Sequence, residues 1–131
     1  MPNSGDTKIV TVPMYQADIK KMRNSAKAAY EASDSFSGLV DLCKLFVQYV
    51  PEPFKIATAV LLEMVGYGGG KVGDYNYSLM WAYQDALDAM LGTTPVIYYD
   101  VKQKFVYVTH GATGAWIQKE IPTFVRHYTD Y

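Results

Sequence analysis

The sequence is nearly devoid of cysteine. Cys43 stands alone, so no intramolecular disulfide can form and a small stapled scaffold is excluded. With one Cys and two His, His110 and His127, the chain is too poor in soft ligands for a closed zinc site, and no spacing motif offers carboxylates in their place. Charge of one sign is also missing. The net charge is −1, made of +3 over residues 1–30, −6 over 31–100 and +2 over 101–131. No global basic field exists to drive nucleic-acid binding by counterion release. The start, "MPNSGDTKIVTVP", lacks a charged stretch followed by an apolar run. No signal peptide is visible, and the expected location is cytoplasmic or reached by a non-classical export route.

What is present is apolar and aromatic. Half of the chain is hydrophobic and 15% aromatic, with 12 Tyr among 131 residues. That is enough for one domain with a real core. Tyr carries apolar area with a polar tip and suits half-buried contact surfaces.

Hydrophobic spacing predicts about four helices followed by a small antiparallel β-meander, an α+β layout. Residues 1–14 read as an extended start, 15–92 as the helical part and 93–131 as the meander. The first helix runs from Tyr15 to about Ser33, with Tyr15, Ile19, Met22, Ala26, Ala29 and Tyr30 on one stripe. Lys20, Lys21, Arg23 and Lys27 lie mostly off it, forming a basic face. The second helix, about Gly38 to Tyr49, confines its polar residues Asp41, Lys44 and Gln48 to a narrow stripe. A third, Phe54 to about Val65, follows the "VPEP" turn. Together, residues 38–66 form a hydrophobic helical hairpin. Each arm is far shorter than the roughly 20 residues a membrane-spanning helix requires, so the hairpin reads as soluble core and a membrane partner is disfavoured. Hairpin insertion, as in pore-forming effectors, is a further alternative. The fourth helix is expected from Tyr77 to Leu91. Strands are expected at Val96–Tyr99, Phe105–His110 and Ala115–Ile121, joined by "DVKQK" and "GATG" as hairpin turns, and the tail after Ile121 has the composition of a fourth strand or a short cover.

Between the third and fourth helices lies "GYGGGKVG", five glycines in eight residues. Gly68, Gly70 and Gly73 match the dinucleotide fingerprint G-x-G-x-x-G, and "LLEMVGYGGG" is similar to the glycine-rich loop of methyltransferases that bind S-adenosylmethionine. Three features oppose these readings. Glu63 is one residue too far from Gly66 for the methyltransferase loop. Asp100 lies too far beyond Gly68 to serve a ribose. Too little chain follows Asp100 to finish a doubly wound sheet. A P-loop fails because Val72 follows Lys71 and Val65 stands where the first Gly is required. The stretch therefore reads as a helix-ending hinge, and no cofactor is expected.

Two chemistries remain. Tyr77, Trp81, Tyr98, Tyr99, Tyr107 and Trp116 form a Tyr/Trp-rich set suited to anchoring an interface, since aromatic anchors concentrate binding energy. This makes a non-catalytic interaction or assembly module the leading expectation, with a protein partner or a homo-oligomer. The alternative is metal-independent RNA cleavage. That chemistry requires a base for the 2′-hydroxyl and cations for the phosphate. His110 is the candidate base, with Lys104, Arg126 and His127 as phosphate-binding or acid groups. The tail "YYDVKQKFVYV" followed by "GATGAWIQ" resembles the meander closing small bacterial toxin nucleases of the barnase-like and colicin-like type. The resemblance covers only this C-terminal part and rests on generic hairpin features; it implies helices ahead of a small antiparallel sheet, and RNA as substrate.

Overall fold

The computed structural model describes residues 5–32, 35–50, 69–110 and 113–129. The chain runs β1 (Thr7–Tyr15), α1 (Gln16–Glu31), α2 (Ser35–Gln48), α3 (Gly69–Met90), β2 (Tyr98–His110) and β3 (Thr113–His127). The three strands form one antiparallel sheet in the order β1-β2-β3.

The α+β class holds, but the expectation of about four helices does not. The described residues form three helices and a three-stranded sheet. The helix predicted over Phe54–Val65 lies outside the described residues. The extended start is strand β1, and it joins the sheet, so the helices lie between β1 and the β2–β3 pair. In β1 every second residue turns inward, and Val10, Val12 and Met14 are buried. This period of two is that of a half-buried strand. It continues through Pro13, which tolerates the position because β1 is an edge strand. Tyr15 therefore closes β1 rather than opening the helical stripe.

Helix α1 begins at once. The backbone N–H of Tyr15 donates to Asp18 Oδ2 at 3.0 Å, the N3-to-N-cap half of a capping box, and the carboxylate also suits the helix dipole. Ile19, Met22, Ala26 and Ala29 are buried along one stripe, as the spacing predicts. In α2, Leu42 and Phe46 enter the core while Asp41, Lys44 and Gln48 stay exposed. Phe46 meets Phe105 of β2 with ring centroids 6.0 Å apart. Helix α2 crosses α1 very closely. A Cβ built on Gly38 would sit 2.6 Å from the Ala29 Cα, an approach only glycine permits.

Helix α3 starts eight residues earlier than predicted. Gly69, Gly70 and Gly73 lie inside it. The last two glycines of the fingerprint are thus helical residues rather than a loop ahead of a helix. Leu79, Tyr83, Ala86, Leu87 and Met90 face the core.

The sheet corrects the meander most sharply. "DVKQK" is the middle of one 13-residue strand, paired on one side with β1 and on the other with β3. Tyr99, Val101, Gln103 and Phe105 turn to the helices and are buried. Likewise the segment after Ile121 is no fourth strand but the continuation of β3. The ladder is interrupted by a bulge. Lys102 faces Thr123 and Lys104 faces Lys119, so Glu120, Ile121 and Pro122 together oppose Gln103. Glu120 adopts φ 66°, a left-handed conformation uncommon outside glycine. Its carbonyl accepts hydrogen bonds from Gln103 Nε2 at 3.0 Å and from the Tyr75 hydroxyl at 2.7 Å. The bulge is therefore pinned from the sheet and from α3 together, which offsets the strain at Glu120.

The helices cover one face of the sheet. The other face is open and carries Ile9, Thr11, Pro13 and Tyr15 from β1, Asp100, Lys102 and Lys104 from β2, and Thr123 and Val125 from β3. Among the described residues no helix is long and apolar enough to cross a membrane.

Candidate interaction surface

The residues of the ribonuclease constellation do not meet. His110 ends β2 with its backbone opposite Thr113, whereas His127 stands opposite Tyr98 at the other end of the same strand. Nearly the whole of β2 separates them, about 40 Å at ~3.3 Å per residue. Arg126 and His127 are neighbours in β3 and so project to opposite faces. His127 lies on the open face, where its Nε2 and Asp100 Oδ2 are 2.8 Å apart. Its ring lies 4.3 Å from that of Tyr98, nearly parallel, and Tyr98 in turn lies 5.1 Å from Tyr15. The three rings form a ladder across the three strands. Lys104 is 3.8 Å from Glu120 on that face.

Arg126 lies on the helix side, opposite Tyr99. With Ala82, Asp85, Ala86, Tyr99 and Phe124 it lines an open cavity of about 220 Å3 between α3 and β3. A hydrogen bond with Tyr128 pushes the Arg126 guanidinium further toward its charged form. Among the described residues no three His, Cys, Asp or Glu side chains are grouped as a metal would need.

The six aromatic candidates divide by depth. Tyr99 is core: it is buried and its hydroxyl donates to the Ala86 carbonyl at 2.8 Å. Burial holds its pKa above the ordinary 10.0, with nearby Arg126 opposing and Tyr128 reinforcing the shift. Tyr107 and Trp116 pack edge to face at 5.3 Å, and Trp116 also leans on the core. Tyr98 is held in the ladder. Tyr77 and Trp81 differ from all of these, being 46% exposed each.

Tyr77 and Trp81 lie one turn apart on the outer face of α3, with ring centroids 6.4 Å apart. Tyr77 also contacts Tyr30 of α1 at 5.2 Å, and Tyr30 is 43% exposed. The three rings make one continuous aromatic patch over the seam between α1 and α3. Spacing alone places Tyr30 on the core stripe of α1. It sits at the edge of that stripe against Tyr77, and only the pairing of the two helices reveals it as surface.

Charge frames the patch. On α1, Lys20, Lys21 and Lys27 are exposed; on α3, Asp74, Asp85 and Asp88 are. Across the seam, Arg23 Nη1 donates to Gln84 Oε1 at 2.7 Å, and Gln84 Nε2 donates to Asp88 Oδ1 at 2.8 Å. The outer face of the helix pair thus has a side that is basic from Lys20 to Lys27 and ends in the exposed Glu31, an aromatic middle and an acidic side. Comparison with known proteins finds no matching family model, no matching curated protein and no matching solved structure.

Proposed function

We propose that this protein is a non-catalytic interaction module whose contact surface is the outer face of the α1–α3 pair. The observation that carries this reading is the contiguity of Tyr30, Tyr77 and Trp81, with Tyr77 packed on both of the others and each ring more than two-fifths exposed. A single exposed aromatic residue is ordinary, but a contiguous cluster rimmed by charge has the anatomy of an interface centre. Tyr and Trp are also the residues in which binding energy concentrates. The test is site-specific photo-cross-linking in the cell that makes the protein. A photoreactive residue at Ser78, exposed on the same face, yields a discrete protein adduct that Trp81→Ala abolishes. The same residue at Thr11, on the open sheet face, yields none. Absence of an adduct at Ser78, or its indifference to Trp81→Ala, refutes the reading.

A further inference from the structure

We infer that the partner seated on this surface is a second copy of the chain, docked about a two-fold axis that runs along the helix pair. The inference rests on the reading of the α1–α3 face as the contact surface.

The face is self-complementary. Arg23 contacts Gln84 and Tyr30 contacts Tyr77, so α1 and α3 run antiparallel, with residue numbers rising on one as they fall on the other. One turn from Arg23 toward Tyr30 lies Lys27, level with Trp81. One turn the other way lies Lys20, level with Asp88, itself about a turn beyond Gln84. A two-fold axis parallel to the helices, placed between two facing copies, keeps every residue at its level and exchanges left for right. The second copy's α1 then stands over the first copy's α3. Lys27 of each meets the Trp81 ring of the other, a cation–π contact, and Lys20 of each meets Asp88 of the other. The Tyr30–Tyr77 pairs close the centre along the axis. Over the stretch from Lys20 to Lys27, which lies level with Asp88 to Trp81, the two signs stand in separate rows and the face fits its own image in this way. A partner of single charge would instead be repelled by one of the two rows.

Sedimentation equilibrium of the full chain, over a wide concentration range, tests this. The expected result is a reversible dimer. Asp88→Lys and Lys20→Glu each weaken it about tenfold or more, because symmetry repeats each change at two contacts, and the double variant Lys20→Glu/Asp88→Lys restores it. Both positions concerned, Lys20 and Asp88, are on the exposed surface, and circular dichroism checks that each variant keeps its fold. A monomer at every concentration overturns the inference. So does a dimer indifferent to the single changes, or one that the double variant fails to restore. The two readings separate cleanly. A monomer that still gives a Ser78 adduct with a different protein sinks the dimer and leaves the interaction surface; a monomer with no adduct sinks both.

Discussion

Replacing Gly38 with alanine adds one methyl group where two helices touch. That methyl carbon would lie 2.6 Å from the Ala29 Cα, 2.8 Å from its Cβ and 3.1 Å from its carbonyl oxygen. Carbon atoms in contact prefer roughly 3.5–4.0 Å, so α1 and α2 must part by about 1 Å. Overpacking of this kind costs about 1–3 kcal/mol. Alanine in place of glycine inside a helix returns up to about 1 kcal/mol through propensity. The net expectation is a loss of about 1–2 kcal/mol, read as a fall in midpoint of roughly 3–10 °C in thermal denaturation followed by circular dichroism. Gly92→Ala is the control. Its new methyl would meet nothing nearer than 3.9 Å, and its stability should stay within about 0.5 kcal/mol of the parent. Ala29→Gly in the Gly38→Ala background should not rescue it, because the nearest obstacle is the Ala29 Cα, which glycine keeps. A Gly38→Ala protein as stable as the parent would refute the close approach of α1 and α2.

Glu120→Gly should leave stability unchanged or raise it by up to about 1 kcal/mol by relieving the left-handed backbone, whereas Glu120→Val should lower it by ~1–3 kcal/mol, both measured by urea denaturation. Tyr99→Phe should cost about 1 kcal/mol at neutral pH, since the Ala86 carbonyl loses a buried donor. The same variant should flatten the alkaline limb of stability. Burial raises the Tyr99 pKa above 10.0, so the folded chain holds a proton that the unfolded chain releases. That contribution is complete below pH 10.0 and is lost as pH climbs through the folded value, which a series of denaturation curves above pH 10.0 would display. Tyr77→Ala with Trp81→Ala should cost only about 1–2 kcal/mol of folding stability, because nearly half of each side chain is already at the surface, while removing the Ser78 adduct; a loss above about 4 kcal/mol would return these residues to the core.

Helical periodicity was the most legible part of the sequence. The buried stripe of α1 from Ile19 to Ala29 and the exposed Asp41–Lys44–Gln48 row of α2 follow from spacing alone. The strands were harder to read, for one identifiable reason. In "YYDVKQKFVYV" the inward series is Tyr99, Val101, Gln103, Phe105, and the polar Gln103 breaks the apolar alternation. With Asp100, Lys102 and Lys104 pointing outward, the segment looks like a turn. Gln103 is buried because its Nε2 donates to the carbonyls of Lys104 and Glu120, and the second of these exists only through the bulge in β3. A long-range contact therefore created the polar core position, and no local signal encodes it. The N-terminal extended segment was legible, but its continuation through Pro13 to Tyr15 was not, because the outward position of Pro13 in an edge strand is visible only once pairing is known. For the surface, Tyr77 and Trp81 were legible as candidates, and Tyr30 was not. Tyr98, Tyr99, Tyr107 and Trp116 carry the same composition, but the sheet sends them into the ladder, the core and a mutual contact.

Oxidative footprinting read by mass spectrometry tests the contact surface most directly, because the chain supplies its own controls. Trp81, Tyr77 and Tyr30 are 46%, 46% and 43% exposed, while Tyr128 and Tyr15, away from the α1–α3 face, are 51% and 42% exposed. In dilute purified protein all five should be modified readily. In the producing cell the first three should be protected and Tyr128 and Tyr15 should not. Equal modification of all five in the cell would contradict the proposal that the α1–α3 face is a binding surface.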